Sequence, residues 1–199
     1  PTQTYIWRLL WIVLANQNRA TMELILNFLS WKAQNPGQKF GGGRIWIIKS
    51  VKQGCGKSTF AEVLIHIFGE ENVCMCTAAK DLVGNFTWWQ NSKCFIFCDD
   101  IDSCTNAQTG LLKARISAKK FWYEEKNKTK VLLNCCEEYF CTSNCETPLY
   151  QGEEDRRQLY LDVNPKFASK NADSKEFFNL VYADIYSMDG CWAFPDYFL

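Results

Sequence analysis

Two hydrophobic rhythms organise the chain. Arg44-Ile45-Trp46-Ile47-Ile48, Lys93-Cys94-Phe95-Ile96-Phe97-Cys98, Glu138-Tyr139-Phe140-Cys141-Thr142-Ser143 and Gln158-Leu159-Tyr160-Leu161-Asp162-Val163 read as short strands. A continuously apolar run such as Phe95 to Cys98 predicts a strand covered on both faces, as parallel strands between helices are. The second rhythm has a period of three to four. Phe60, Val63, Leu64, Ile67 and Phe68 fall on one face of a helix from Lys57 to Phe68, with Gly69 as its stop. Leu24, Ile25, Phe28, Leu29 and Trp31 stripe a helix from Met22 to Gln34, with Thr21 placed as its cap and Asn35-Pro36-Gly37 ending it. Phe177, Phe178, Val181, Tyr182 and Ile185 mark another helix over 174–186.

The first third is helical and apolar. Tyr5 to Ala15 is interrupted by Arg8 and is too short to cross a bilayer, so it predicts a buried or interface helix. Gly41-Gly42-Gly43 predicts a flexible approach to the first strand. The expected architecture is α/β, a central, mostly parallel sheet flanked by helices over residues 37–199, preceded by a helical segment over residues 1–36. Leu111 to Ile116 adds a helix, and Phe121 to Leu133 a hairpin turning at Lys126-Asn127-Lys128.

Chemistry enters after the first strand. Gln53-Gly54-Cys55-Gly56-Lys57-Ser58-Thr59 follows a strand and opens a helix, the setting in which backbone N–H groups cradle phosphates. There Lys57 reaches the β- and γ-phosphates and the Ser58 hydroxyl binds Mg²⁺. An ordinary glycine-rich turn is the competing account, and Val51 stands where the full pattern has its first glycine. The run Lys93 to Cys98 then ends in Asp99-Asp100, at the strand end where open α/β sheets bind ligands. In a Walker B arrangement the first acid holds the metal through its water shell and the second polarises the attacking water. Solvated acids at a strand end are the alternative, and Asp102 is a third acid close by. Asn144, closing the strand 138–143, fits a sensor position near the γ-phosphate or serves as a turn residue. Arg156 and Arg157, after Gly152-Glu153-Glu154-Asp155, are candidate arginine fingers or members of a surface ion-pair cluster.

The ordered set resembles the superfamily 3 helicase core of the AAA+ class, most closely the branch found in primase-helicase proteins of large DNA viruses, phages and mobile elements. The resemblance rests on Asn35-Pro36-Gly37-Gln38-Lys39, the loop 53–59, Cys98-Asp99-Asp100, Phe140-Cys141-Thr142-Ser143-Asn144 and Asp155-Arg156-Arg157, and covers roughly residues 23–190. Two positions depart from it: Val51, and Asp100 where the branch has Glu.

The resemblance implies a P-loop NTPase of the AAA+ type that hydrolyses ATP or another NTP with Mg²⁺. It implies a homo-hexameric ring, assembled with help from the upstream helices, acting as a helicase or translocase on single-stranded or forked DNA in viral or mobile-element replication. Lys57, Asp99, Asp100, Asn144 and Arg156 or Arg157 would be catalytic, with Ser58 and Asp99 at the metal. Lys126 and Lys128, with Lys130 behind them, would contact DNA phosphates from the hairpin, and a fused or partner primase domain would accompany the core. The alternatives are a protein-remodelling or DNA-packaging ATPase on the same fold, and a nucleotide-binding assembly module with weak hydrolysis.

Composition changes this picture in three respects. With 22 basic and 22 acidic residues in 199, overall charge gives no argument for nucleic acid, so any DNA contact needs a local patch. Eleven cysteines without a secretory signal fit a reducing, intracellular setting rather than secretion. A zinc site is disfavoured, since there is no Cys-x-x-Cys and the single histidine, His66, lies on the helix after the loop.

Overall fold

The structure, a computed structural model, describes residues 4–101, 104–150, 155–168 and 171–187. Asp102, Gly152-Glu153-Glu154 and the aromatic tail Cys191 to Leu199 lie outside the described residues. The strands are β1 (Ile45–Lys49), β2 (Val73–Cys76), β3 (Phe95–Cys98), β4 (Lys120–Tyr123), β5 (Val131–Asn134), β6 (Glu138–Ser143) and β7 (Gln158–Asp162). The helices are α1 (Tyr5–Arg8), α2 (Arg19–Gln34), α3 (Thr59–Phe68), α4 (Ala79–Leu82), α5 (Asn106–Ser117) and α6 (Ala172–Tyr186). A π-helical stretch, Leu9–Leu14, continues α1.

Five strands form one sheet in the order β2-β3-β6-β1-β7, with every neighbouring pair parallel. Strands β4 and β5 form a separate antiparallel hairpin. The chain is an α/β fold, a central parallel sheet flanked by helices. Because β6 lies between β1 and β3, the residues that follow it stand between those following the other two. The direction shared by all five strands brings the loop after β1, Asp99 after β3 and Asn144 after β6 to one end of the sheet.

Alternation along β1 divides the core between the two faces of the sheet. Trp46 and Ile48 pack with Phe95, Phe97 and Phe140 against α1, α2, α3 and α6, while Ile45 and Ile47 pack with Ile96, Cys98, Tyr139 and Cys141 against Leu82 of α4 and Leu112 and Ile116 of α5. Aromatic rings fill the first layer. Phe28 meets Trp46 at 4.7 Å, Phe40 at 5.3 Å, Phe140 at 5.8 Å and Phe95 at 6.1 Å between centroids. Truncating so enclosed a ring to alanine costs about 3–5 kcal/mol. Ile6, Leu9, Leu10 and Val13 are buried in this same cluster, so the N-terminal helical stretch shares the core of the sheet.

Two local expectations are corrected. Helix α2 is capped by Asn18, whose side chain accepts from the Thr21 amide, and it begins at Arg19. The hydrophobic stripe marks the buried face of a helix and is silent about a polar first turn. Nor is Gly41-Gly42-Gly43 a slack linker. Phe40–Gly42 is a 3-10 turn, all three glycines have positive φ, and a Cβ on Gly43 would stand 2.1 Å from the Ile116 carbonyl oxygen. Lys39, just before, donates to the carbonyls of Arg115 at 3.2 Å and Ile116 at 2.9 Å, so this segment ties down the C-terminal end of α5.

Candidate nucleotide site

The loop after β1 turns tightly because Gly54 (φ +73°) and Gly56 (φ +93°) occupy the left-handed region, where a side chain would be strained. Gly56 has a second constraint, since a Cβ there would meet the Phe178 ring at 2.7 Å. Val51 is absent from the positive-φ residues, so the backbone does not require a glycine there, and its side chain is 74% exposed. Within the described residues the backbone N–H groups of Gly54, Cys55, Gly56, Lys57 and Ser58 donate to no protein acceptor. Unspent amides at the start of α3 form a concave donor surface that suits an anion.

Opposite this loop stand the residues that end β3 and β6. Ser58 Oγ lies 2.9 Å from both carboxylate oxygens of Asp99, and Lys57 Nζ donates to Asn144 Oδ1 at 2.6 Å. Asn144 Nδ2 in turn donates to Asp100 Oδ1 at 2.7 Å. Lys57, only 8% exposed, also lies 3.4 Å from the Ser50 carbonyl. Asp100 adopts φ +57°, a conformation that Asp tolerates better than a longer side chain because its carboxylate can bond locally. That geometry gives the Asp at this position a physical reason.

Thr142 was not singled out by sequence. Its hydroxyl donates to Asp99 Oδ1 and accepts from the Asp100 amide, both at 2.7 Å. The signal was the strand period, since Thr142 and Asn144 sit two apart and project to the same side. Phe178 and Tyr182 of α6 also line the cleft, whereas their helical spacing alone predicts only a face that packs on the sheet.

These residues enclose a cleft of about 440 Å³, lined by Gln53 to Thr59, Asp99, Asp100, Thr142, Asn144, Phe178 and Tyr182. Gln53 to Thr59, Asp99, Asp100 and Asn144, all named from sequence, therefore lie on one cavity. Among the described residues no group of three or more His, Cys, Asp or Glu could hold a metal. Ser58 and Asp99 do supply the hard oxygen donors that Mg²⁺ takes when one carboxylate is combined with substrate phosphates.

Arg156 and Arg157 lie elsewhere. They precede β7, whose first residue, Gln158, pairs with Ile45, whereas the cleft lies beyond the Lys49 and Asp162 end. Five strand residues place the pair about 16 Å along the sheet from that end. Both are exposed. The neighbouring Asp155 is ion-paired to Lys113; burial raises its carboxyl pKa, but the Lys113 bond and the Arg157 amide outweigh this and hold it below the usual value.

The hairpin stands at the same far end. Its turn is made at Asn127 (φ +62°), and two of the three candidate lysines are engaged within it: Lys128 with Glu125 and Lys130 with Glu124, each at 2.8 Å. Lys126 is exposed, and Trp122 is 56% exposed on the outer face. The base of the hairpin is anchored by a buried polar cluster. Arg115 Nη2 pairs with Glu137 Oε1 at 2.9 Å, its guanidinium lies 3.7 Å from the Phe121 centroid, and Tyr123 donates to the same Glu137 oxygen.

Comparison with known proteins supplies a fold and a family. A family model described as a family of unknown function, DUF5906, matches residues 48–157. The chain is similar to the solved A form apo structure of NrS-1 C terminal region-CTR, with TM-score 0.78 and 21% identity over 94% of this chain and 43% of that one. It is similar too to the apo structure of NrS-1 C terminal region (305-718), with TM-score 0.71 and 22% identity over 86% of this chain and 42% of the other. The chain thus spans less than half the length of the solved chains it matches. No curated protein matches it.

Proposed function

The chain belongs to the DUF5906 family, and because the matched span holds the whole loop, both aspartates and Asn144, we propose that it is a Mg²⁺-dependent NTP hydrolase of the AAA+ P-loop type. In this reading it is the motor core of a viral or mobile-element DNA helicase. The observation that carries the proposal is the convergence of Lys57 and Asp100 on one side chain, Asn144, across a cleft rimmed by unspent amides.

Each side chain then has a task. The amides of Gly54 to Ser58 and the Lys57 ammonium hold the β- and γ-phosphates, balancing charge that grows as the terminal phosphoryl group departs. Ser58 and Asp99 would hold Mg²⁺, which supplies further charge neutralisation at the phosphate oxygens when bound. Asp100 orients the attacking water, with Asn144 fixing its carboxylate. Arg156 and Arg157 stand too far from this chain's own cleft to serve it, so a finger role requires a neighbouring subunit, as in a homo-hexameric ring. Single-stranded or forked DNA would meet the hairpin lysines, and a primase domain would be fused or recruited.

Hydrolysis measured with and without single-stranded DNA tests the reading. The expected result is turnover that DNA stimulates and that Lys57→Ala abolishes, together with sharply weakened nucleotide binding. Turnover unaffected by Lys57→Ala would remove the site. Turnover indifferent to DNA would favour a remodelling ATPase on the same fold.

A further inference from the structure

The lining of the cleft is of two chemical kinds. The carboxylates of Asp99 and Asp100, the Thr142 hydroxyl and the Asn144 amide are polar, whereas α6 contributes the rings of Phe178 and Tyr182. A nucleotide divides in the same way, into charged phosphates and a flat, weakly solvated base. With the terminal phosphates at Lys57 and Asn144, the rings of α6 are the flat aromatic surface that the lining offers to a base.

The two rings are not equivalent. Phe178 is packed against the loop, its Cε1 lying 2.7 Å from where a Gly56 Cβ would be, and it makes edge contacts with Phe177 at 5.4 Å and Phe167 at 6.3 Å. Such a ring is part of the wall. Tyr182 is one helical turn further along the same face and 36% exposed, so part of its ring is available. The Tyr186 ring stacks with it, near-parallel at 12° with centroids 6.2 Å apart.

We propose that Tyr182 is the platform on which the base of a bound nucleotide stacks, so that α6 sets affinity for the nucleoside end of the ligand. This rests on the nucleotide-site reading above. Stacking on an aromatic ring tolerates any base, because every base has a π-face. Tyr182 therefore separates nucleotides from bare polyphosphates more than one base from another.

The test compares Mg-ATP with Mg-tripolyphosphate, which carries the phosphates and lacks the nucleoside, as ligands of the wild-type protein and of Tyr182→Ala, Tyr182→Phe and Lys57→Ala. Tyr182→Ala is expected to weaken Mg-ATP by roughly tenfold or more, in line with loss of one base–aromatic stack, and to leave Mg-tripolyphosphate within twofold by the same reasoning, roughly no change. Tyr182→Phe keeps the ring and should bind Mg-ATP as the wild type does, and Lys57→Ala should weaken both ligands. Equal losses for both ligands in Tyr182→Ala, or no loss for either, would overturn the platform while leaving the phosphate site standing. If the wild type binds neither ligand, or Lys57→Ala leaves both unaffected, the nucleotide site itself falls and the platform with it.

Discussion

The Thr142 hydroxyl is shared between two consecutive acids: it donates to Asp99 Oδ1 and accepts from the Asp100 amide, each at 2.7 Å. One oxygen thereby fixes the Asp99 carboxylate, proposed to hold the metal, and the backbone of Asp100, proposed to orient the water. Thr142→Val keeps the shape and removes both bonds. It is expected to lower kcat and raise the Mg²⁺ requirement by about 10–100-fold, the usual cost of losing a group that orients a metal ligand, with little change in tripolyphosphate or nucleotide affinity measured without the metal. The orphaned Asp100 amide also costs about 1–3 kcal/mol of stability. A kcat within twofold of the wild type, roughly no change, would show that Asp99 needs no such positioning.

The hairpin lysines differ in their partners. Lys128 and Lys130 are ion-paired to Glu125 and Glu124, which leaves Lys126 the best placed of the three for a phosphate. Lys126→Ala is expected to reduce the salt slope of single-stranded DNA binding by about 0.7, the contribution of one phosphate contact. Glu125→Gln releases Lys128 and should steepen the slope by a similar amount while raising affinity. Slopes that move in neither variant place the DNA on another surface.

The position of the arginine pair makes subunit complementation a sharp test. Single variants Arg156→Ala and Arg157→Ala test the proposed finger, whose loss should reduce hydrolysis by about 10³–10⁵-fold. Mixing that variant with Lys57→Ala should restore part of the activity, because some interfaces then join an intact loop to an intact arginine. A co-assembled mixture that stays inactive would remove both residues from the reaction.

Burial gives Glu138 an unusual titration. Its Oε1 accepts from the Phe40 amide at 2.5 Å and its Oε2 has no partner among the described residues. Burial is the largest influence and raises its pKa from 4.5 to about 7, against the opposing pull of the Phe40 bond, Lys32 and Lys39. The folded state then binds more protons than the unfolded chain between these values, so the contribution to stability is full below pH 4.5 and is lost as pH rises to about 7. Glu138→Gln should melt with a flatter pH dependence across that window, measured by thermal denaturation. A parallel profile for the two proteins would put the titration on another group.

Much of this architecture is legible in sequence because burial imposes periodicity. Strands β1, β3, β6 and β7 are apolar enough to be read directly, and α3 and α6 show their buried stripes. Strand β2 is different: it is four residues long at the sheet edge, with Met75 44% exposed, so no continuous run marks it. The loop, the acids and Asn144 are legible because the motif pattern they match restricts both residue type and position. Thr142 and Tyr182 are not, since a strand threonine and a helical tyrosine are common, and their roles depend on what faces them across the fold. The ion pairs of Lys128 and Lys130 escaped for the same reason, a sequence showing charge without showing which partner neutralises it.

Helix α5 has a mechanical consequence. Its last turn carries the guanidinium of Arg115, locked between Glu137 and the hairpin rings, with Lys39 bonded to the carbonyls of Arg115 and Ile116. Because one guanidinium touches Glu137, the Tyr139 hydroxyl and the rings of Phe121 and Tyr123, the base of the hairpin is held in fixed register with the start of β6.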